Sequence, residues 1–217
     1  MKVFGRSWRA LAAAALATAA LVALTGCDSN AEANSPAVSG PSVIAPGKPG
    51  EENRTLSAAD ATEQRAEDDA PNSADVSYAR KMIEHHTQAL EMTELAPDRA
   101  ESGQVKRLAE RIAAAQGPEI KAMQGWLKTN GKSEKADGHD HASMPGMATD
   151  AQLKKLRAAE GKAFDQLFLT LMITHHEGAI TMATEVKAQG NNILIEEMAD
   201  DVVAQQTSEI GRMRDLL

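Results

Sequence analysis

An eleven-residue pattern, Met-Ile-x-His-His-x-x-Ala-x-x-Met, occurs twice in this chain, the copies ninety residues apart. The first holds Met82, Ile83, His85, His86, Ala89 and Met92; the second holds Met172, Ile173, His175, His176, Ala179 and Met182. The correspondence extends at the same offset without a gap. Asp75 matches Asp165, Tyr78 aligns with Phe168, Gln116 matches Gln206, Glu119 matches Glu209, Met123 matches Met213 and Leu127 matches Leu217. Residues 75–127 and 165–217 therefore read as two copies of one unit, and any fold for this chain must be built from two similar halves.

Each unit reads as a helical hairpin. Strand signals are nearly absent from this part of the chain. The first helix is expected to start near Ser73–Asp75, with Asn72, Ser73 or Asp75 as its cap, and to end before Pro97. A second is expected from about Glu101 to Thr129, stopping at Asn130-Gly131. A third is expected from Thr149-Asp150 to about Ala188, with Gly161 as a candidate interruption. A fourth should span about Asn192 to Leu216. At 100° per residue, Asp75, Tyr78, Met82, His85, His86, Ala89 and Met92 fall within an arc of about 120°, the width of a core-facing stripe. Their counterparts repeat this in the third helix. Gln116, Glu119 and Met123 share the inward stripe of the second helix, as do Gln206, Glu209 and Met213 in the fourth. Pro118 should kink the second helix alone, because the fourth carries Ser208 there. The expected architecture is all-α: two repeated hairpins packed as a four-helix bundle, whose core can host a metal site.

The remainder of the chain reads as an export and anchoring apparatus. Lys2, Arg6 and Arg9 precede an Ala/Leu-rich stretch that ends in Leu24-Thr25-Gly26-Cys27, which looks like a lipoprotein box. Residues 1–26 are read as a signal peptide and Cys27, the single cysteine, as the site of lipidation. The expected location is extracytoplasmic, held to the bacterial cell membrane by that lipid. One cysteine also excludes an internal disulfide framework and a cysteine-rich zinc site. Removing the three basic residues of the signal leaves 20 Lys+Arg against 31 Asp+Glu, a net charge of −11. That balance argues against nucleic acid as a partner. Residues 27–72, rich in Ser, Pro, Gly, Asn, Glu and Asp, are expected to form a structureless tether, with a short helix near Leu56–Asp69 as the exception. Residues 73–217 form the folded domain.

The inward residues point to a metal. Imidazole suits copper, zinc, iron and nickel, and thioether favours Cu(I). Methionine at both ends of each His-His pair therefore moves the expectation to copper, with zinc as the alternative. The candidate ligands are His85, His86, His175 and His176, with Met82, Met92, Met172 and Met182. The 131–149 linker adds His139, His141, Met144 and Met147 as a capture segment. Asp75, Asp165, Glu119 and Glu209 are candidate carboxylates to orient the imidazoles. A di-iron site is discounted, since no inward Glu precedes a motif histidine by three residues. The plainer alternative is a structural or interaction bundle, in which methionines fill the core and the histidines form a buried polar network with those carboxylates. A copper-dependent redox enzyme is the weakest reading, for no nucleophile–base set or cofactor loop stands out.

The repeated motif, followed in each unit by Ala-x-x-Ile/Val-x-x-x-Gln-x-x-Glu-Ile-x-x-Met, resembles the family known as domain of unknown function 305. The resemblance covers about Ser73–Leu217 and is strongest from Phe164 to Met182. It implies an exported, ferritin-like four-helix domain, with copper binding or copper tolerance in some members. On that pattern His85, His86, Met92, His175, His176 and Met182 are the residues carried over. Pro118 departs from it and bears on whether Glu119 and Glu209 are equivalent.

Overall fold

The computed structural model describes residues 40–47, 49–134 and 144–217. Cys27, the leader before it, and His139 and His141 lie outside the described residues.

Four long helices form the bundle: α2 (Ser73–Thr93), α4 (Gly103–Thr129), α6 (Gly161–Gln189) and α7 (Ile193–Arg214). Two short ones, α3 (Ala96–Arg99) and α5 (Asp150–Ala158), lead into α4 and α6. Asn72 caps α2: its side chain accepts from the amides of Ala74 and Asp75, and Asp75 returns a bond to the Asn72 amide, a complete capping box. Thr149 and Gln152 build the same device at α5. The expected interruption of the third helix falls between α5 and α6, where Gly161 takes a left-handed φ of 58°. Helix α4 runs through Pro118 without a break in its assignment. The segment expected to lack structure carries an antiparallel pair, β1 (Ser42–Ala45) with β2 (Arg54–Ser57), and the short helix expected near Leu56–Asp69 is α1 (Ala58–Asp68), capped by Ser57. Its apolar residues Val43 and Ile44 are exposed, so backbone pairing rather than a core holds the strands. Among the described residues no helix is long and apolar enough to cross a membrane.

Within each repeat α2 packs on α4 and α6 on α7; α2 meets α6 across the two hairpins. The repeats clasp each other reciprocally. Asp165 of α6 accepts the amides of Glu101 and Ser102, at the start of α4 (3.2 and 2.9 Å). Asp75 of α2 accepts those of Asn191 and Asn192, at the start of α7 (3.2 and 3.3 Å). Both carboxylates thus satisfy backbone at a helix N-terminus, where negative charge is favoured. The expectation that Asp75 and Asp165 orient the histidines is corrected here: they clamp one hairpin to the other.

Two methionine-containing core clusters result. One holds Met92, Met172 and Met213; the other holds Met82, Met123, Met182 and Met144. Each therefore takes the leading methionine of one motif and the trailing methionine of the other.

Candidate metal centre

The four motif histidines are completely buried. Helical periodicity explains this: His85 and His86 fall on either side of the Met82–Ala89 midline of α2, and His175 and His176 do the same in α6. Ala89 and Ala179, themselves buried, allow close helix approach. His85 and His175 meet with ring centroids 3.7 Å apart and planes tilted by 37°.

The outer pair is anchored symmetrically. His86 Nε2 lies 2.7 Å from Glu119 Oε2, and His176 Nε2 lies 2.7 Å from Glu209 Oε2. The equivalence of Glu119 and Glu209 therefore holds despite Pro118. A carboxylate oxygen can only accept, so each Nε2–H donates, and a neutral imidazole so bonded carries its lone pair on Nδ1. His85 is anchored differently, with Nε2 3.0 Å from the Pro145 carbonyl oxygen. Neither ring nitrogen of His175 makes a well-formed hydrogen bond, although the His85 backbone lies close enough to act on the ring. Nδ1 of all four rings is buried and unpartnered, and so are both amide atoms of Gln116 and of Gln206. Burial pushes the pKa of His85 down to about 3, opposed in part by the Pro145 carbonyl and aided by the neighbouring histidines. Burial, then repulsion among the motif histidines, first of all His85, likewise pushes His175 well below the usual imidazole range, opposed in part by the His85 backbone. Both rings are therefore neutral at physiological pH, the form that can ligate a metal.

Residues 144–148 form a strap over this centre that the repeat alone does not foretell. Gln88 holds Ala148 at both ends of its peptide, through the amide (2.7 Å) and the carbonyl (3.0 Å). Gly178, at the position of Gln88 in the second repeat, lets the strap approach: a Cβ there would overlap the Pro145 carbonyl. Gly146 takes a left-handed φ of 79° and would likewise collide with α6 if it bore a side chain. Met144 is buried by the strap, and Met147 is half-buried against the same cluster. The legible signal was a glycine inside an otherwise apolar helix. Tyr78, also in the inward stripe, buries an unpartnered hydroxyl.

Among the described residues, no three His, Cys, Asp or Glu side chains stand ready to enclose one ion. The donors at this centre are imidazole nitrogens, and the motif methionines are divided between the two core clusters. That set, with its unpartnered nitrogens in a buried core, fits a soft metal better than a hard one.

Solved structures share this architecture. A DUF305 protein from Streptomyces coelicolor, provisionally described as secreted, is 38% identical, with a TM-score of 0.64 over 67% of this chain and 92% of its own. A DUF305 fragment from Deinococcus radiodurans is 28% identical, with a TM-score of 0.63 over 67% and 96%. CopM in its Cu(I)-bound form is 30% identical, with a TM-score of 0.54 over 65% and 93%. CopM has also been solved with Cu(II) and with Ag. Among curated proteins, none matches the chain. The family model described as Domain of unknown function (DUF305) matches residues 75–217, from the clamping aspartate of the first repeat to the last residue of the second, and the chain belongs to that family.

Proposed function

We propose that this protein binds copper outside the cytoplasm, for buffering, tolerance or delivery, and is a carrier rather than an enzyme. His85, His86, His175 and His176 supply the principal ligands. Met82, Met92, Met172 and Met182 tune the site towards Cu(I). His139, His141, Met144 and Met147 form an auxiliary capture segment, and a lipid on Cys27 keeps the protein at the membrane. The observation that carries the reading is the set of four buried, unpartnered Nδ1 atoms, three of them on rings whose Nε2 is anchored. Leaving a buried polar atom unpaired costs about 1–3 kcal/mol, so a merely structural core has no reason to keep four. Copper and silver in CopM support the choice of metal.

A structural bundle with a polar network is the second reading, favoured by the two His–Glu pairs and the His85–Pro145 bond. Anaerobic Cu(I) titration of the protein against a competing chelator, with Zn(II) in parallel, separates the two. Tight Cu(I) binding, weaker Zn(II) binding, and a loss of about tenfold or more in Cu(I) affinity for His85→Ala and His175→Ala are expected. Binding that survives replacement of all four histidines would move the site to the 139–147 segment. Absence of competitive binding would leave the network reading standing.

A further inference from the structure

The two repeats differ sharply along the seam between α4 and α7. At one end a cleft of about 430 Å³ opens between these helices and reaches Tyr78 and Glu119. Its formal charge comes from Glu119 and Asp201 alone, and Met198 and Met123 contribute to its wall. Met198 is half-buried and Met123 buried, so the two residues lie at successive depths from solvent. The Tyr78 hydroxyl, buried without a partner, borders the same cleft. Glu119 is 23% exposed and touches His86, whereas its repeat counterpart Glu209 is 5% exposed.

Sequence explains the difference position by position. Where this end has Ala122 and Asp201, the other repeat has Arg212 and Arg111; where it has Met198 and Tyr78, the other has Leu108 and Phe168. Arg111 and Arg212 line a separate polar cleft with Arg107, against two acids, Glu110 and Asp215. One end of the seam is thus acidic, with small side chains and two methionines in its wall, and the other, a cleft of about 500 Å³, is polar with an excess of basic charge. Clefts lined by charge of one sign concentrate counter-ions and accelerate their capture.

We infer that the α4–α7 cleft at Ala122 and Asp201 is the way in for a soft monovalent cation, passing Met198 and Met123 to Glu119 and so to His86. This rests on the copper-binding reading above and adds a direction: the pseudo-symmetric bundle loads from one end, and the Arg111/Arg212 end is closed to cations.

The test grafts the basic end onto the acidic one. Ala122 and Asp201 are exposed and outside the ligand set, so the full-length A122R/D201R double variant keeps the core intact. Stopped-flow uptake of Ag(I) from a coloured chelator should slow by about tenfold or more, with equilibrium affinity kept within about twofold. The reciprocal R111D/R212A variant should load faster than wild type. Unchanged uptake by A122R/D201R, at unchanged affinity, would overturn the route while leaving the copper reading in place. Equal loss of rate and affinity would make the cleft a holding site and would also overturn the inference. A wild-type protein that takes up no Ag(I) or Cu(I) at equilibrium would end both.

Discussion

At the residue scale, His175 concentrates the conflict between stability and binding. It is buried with neither ring nitrogen in a well-formed hydrogen bond, against the ring of His85. Replacing it by leucine removes two unsatisfied atoms and keeps an apolar filling. Metal-free H175L is therefore expected to unfold at higher urea, by about 1–3 kcal/mol, while its Cu(I) affinity falls. A loss of stability without a loss of affinity would count against the assignment. The depressed pKa values carry a sign. Unfolded histidine titrates near 6.5, whereas folded His85 titrates at about 3 and folded His175 well below 6.5. Between those limits the unfolded chain binds more protons, so the metal-free fold should lose stability as pH falls from about 6.5 towards 3. Each such histidine contributes a slope of about 1.4 kcal/mol per pH unit. Urea melts from pH 7 to 4 on wild type and on H85L/H175L measure it; parallel curves for the two proteins would sink the idea.

Helices and their joints show where sequence reading succeeds and where it stops. Helical periodicity made the inward stripes legible, since burial of one face follows directly from residue spacing. His86, His176, Glu119 and Glu209 accordingly meet as their positions on facing stripes imply. Periodicity places residues on a face but says nothing of what a loop brings to it. Hence Asp75 and Asp165, inward by angle, prove to serve loop amides near the helix ends, and the Pro145 carbonyl bonded to His85 was not foreseen. The strap yields its own prediction. Gly178→Ala drives a methyl into the Pro145 carbonyl and should cost about 1–3 kcal/mol by overpacking. Gln88→Ala, which only releases Ala148, should cost less. Urea unfolding of both variants checks the order, and amide exchange at Ala148 should rise in each. The β1–β2 pair was illegible for another reason: it has almost no buried face, and burial is what patterning reports.

For the whole molecule, the ninety-residue offset revealed the pseudo-twofold bundle because a repeat that buries its apolar face against its copy leaves a gap-free correspondence. What the offset hides is asymmetry: the strap on one side, and Pro118, Ala122 and Asp201 against Ser208, Arg212 and Arg111. The reciprocal aspartate clamps have a consequence for folding. Ser102 and Asn192 cap each hairpin's second helix from within, but the amides of the cap and of the residue before it are held by a carboxylate of the other hairpin, so each hairpin loses those bonds when separated. Chain cleavage between residues 135 and 143 should yield two fragments that are poorly helical apart and fold together at one-to-one stoichiometry, measured by circular dichroism on mixing. Asp165→Ala in one fragment should weaken that recombination. The molecule then behaves as a heterodimer whose halves happen to share a backbone, and its cooperativity arises at the joint between them.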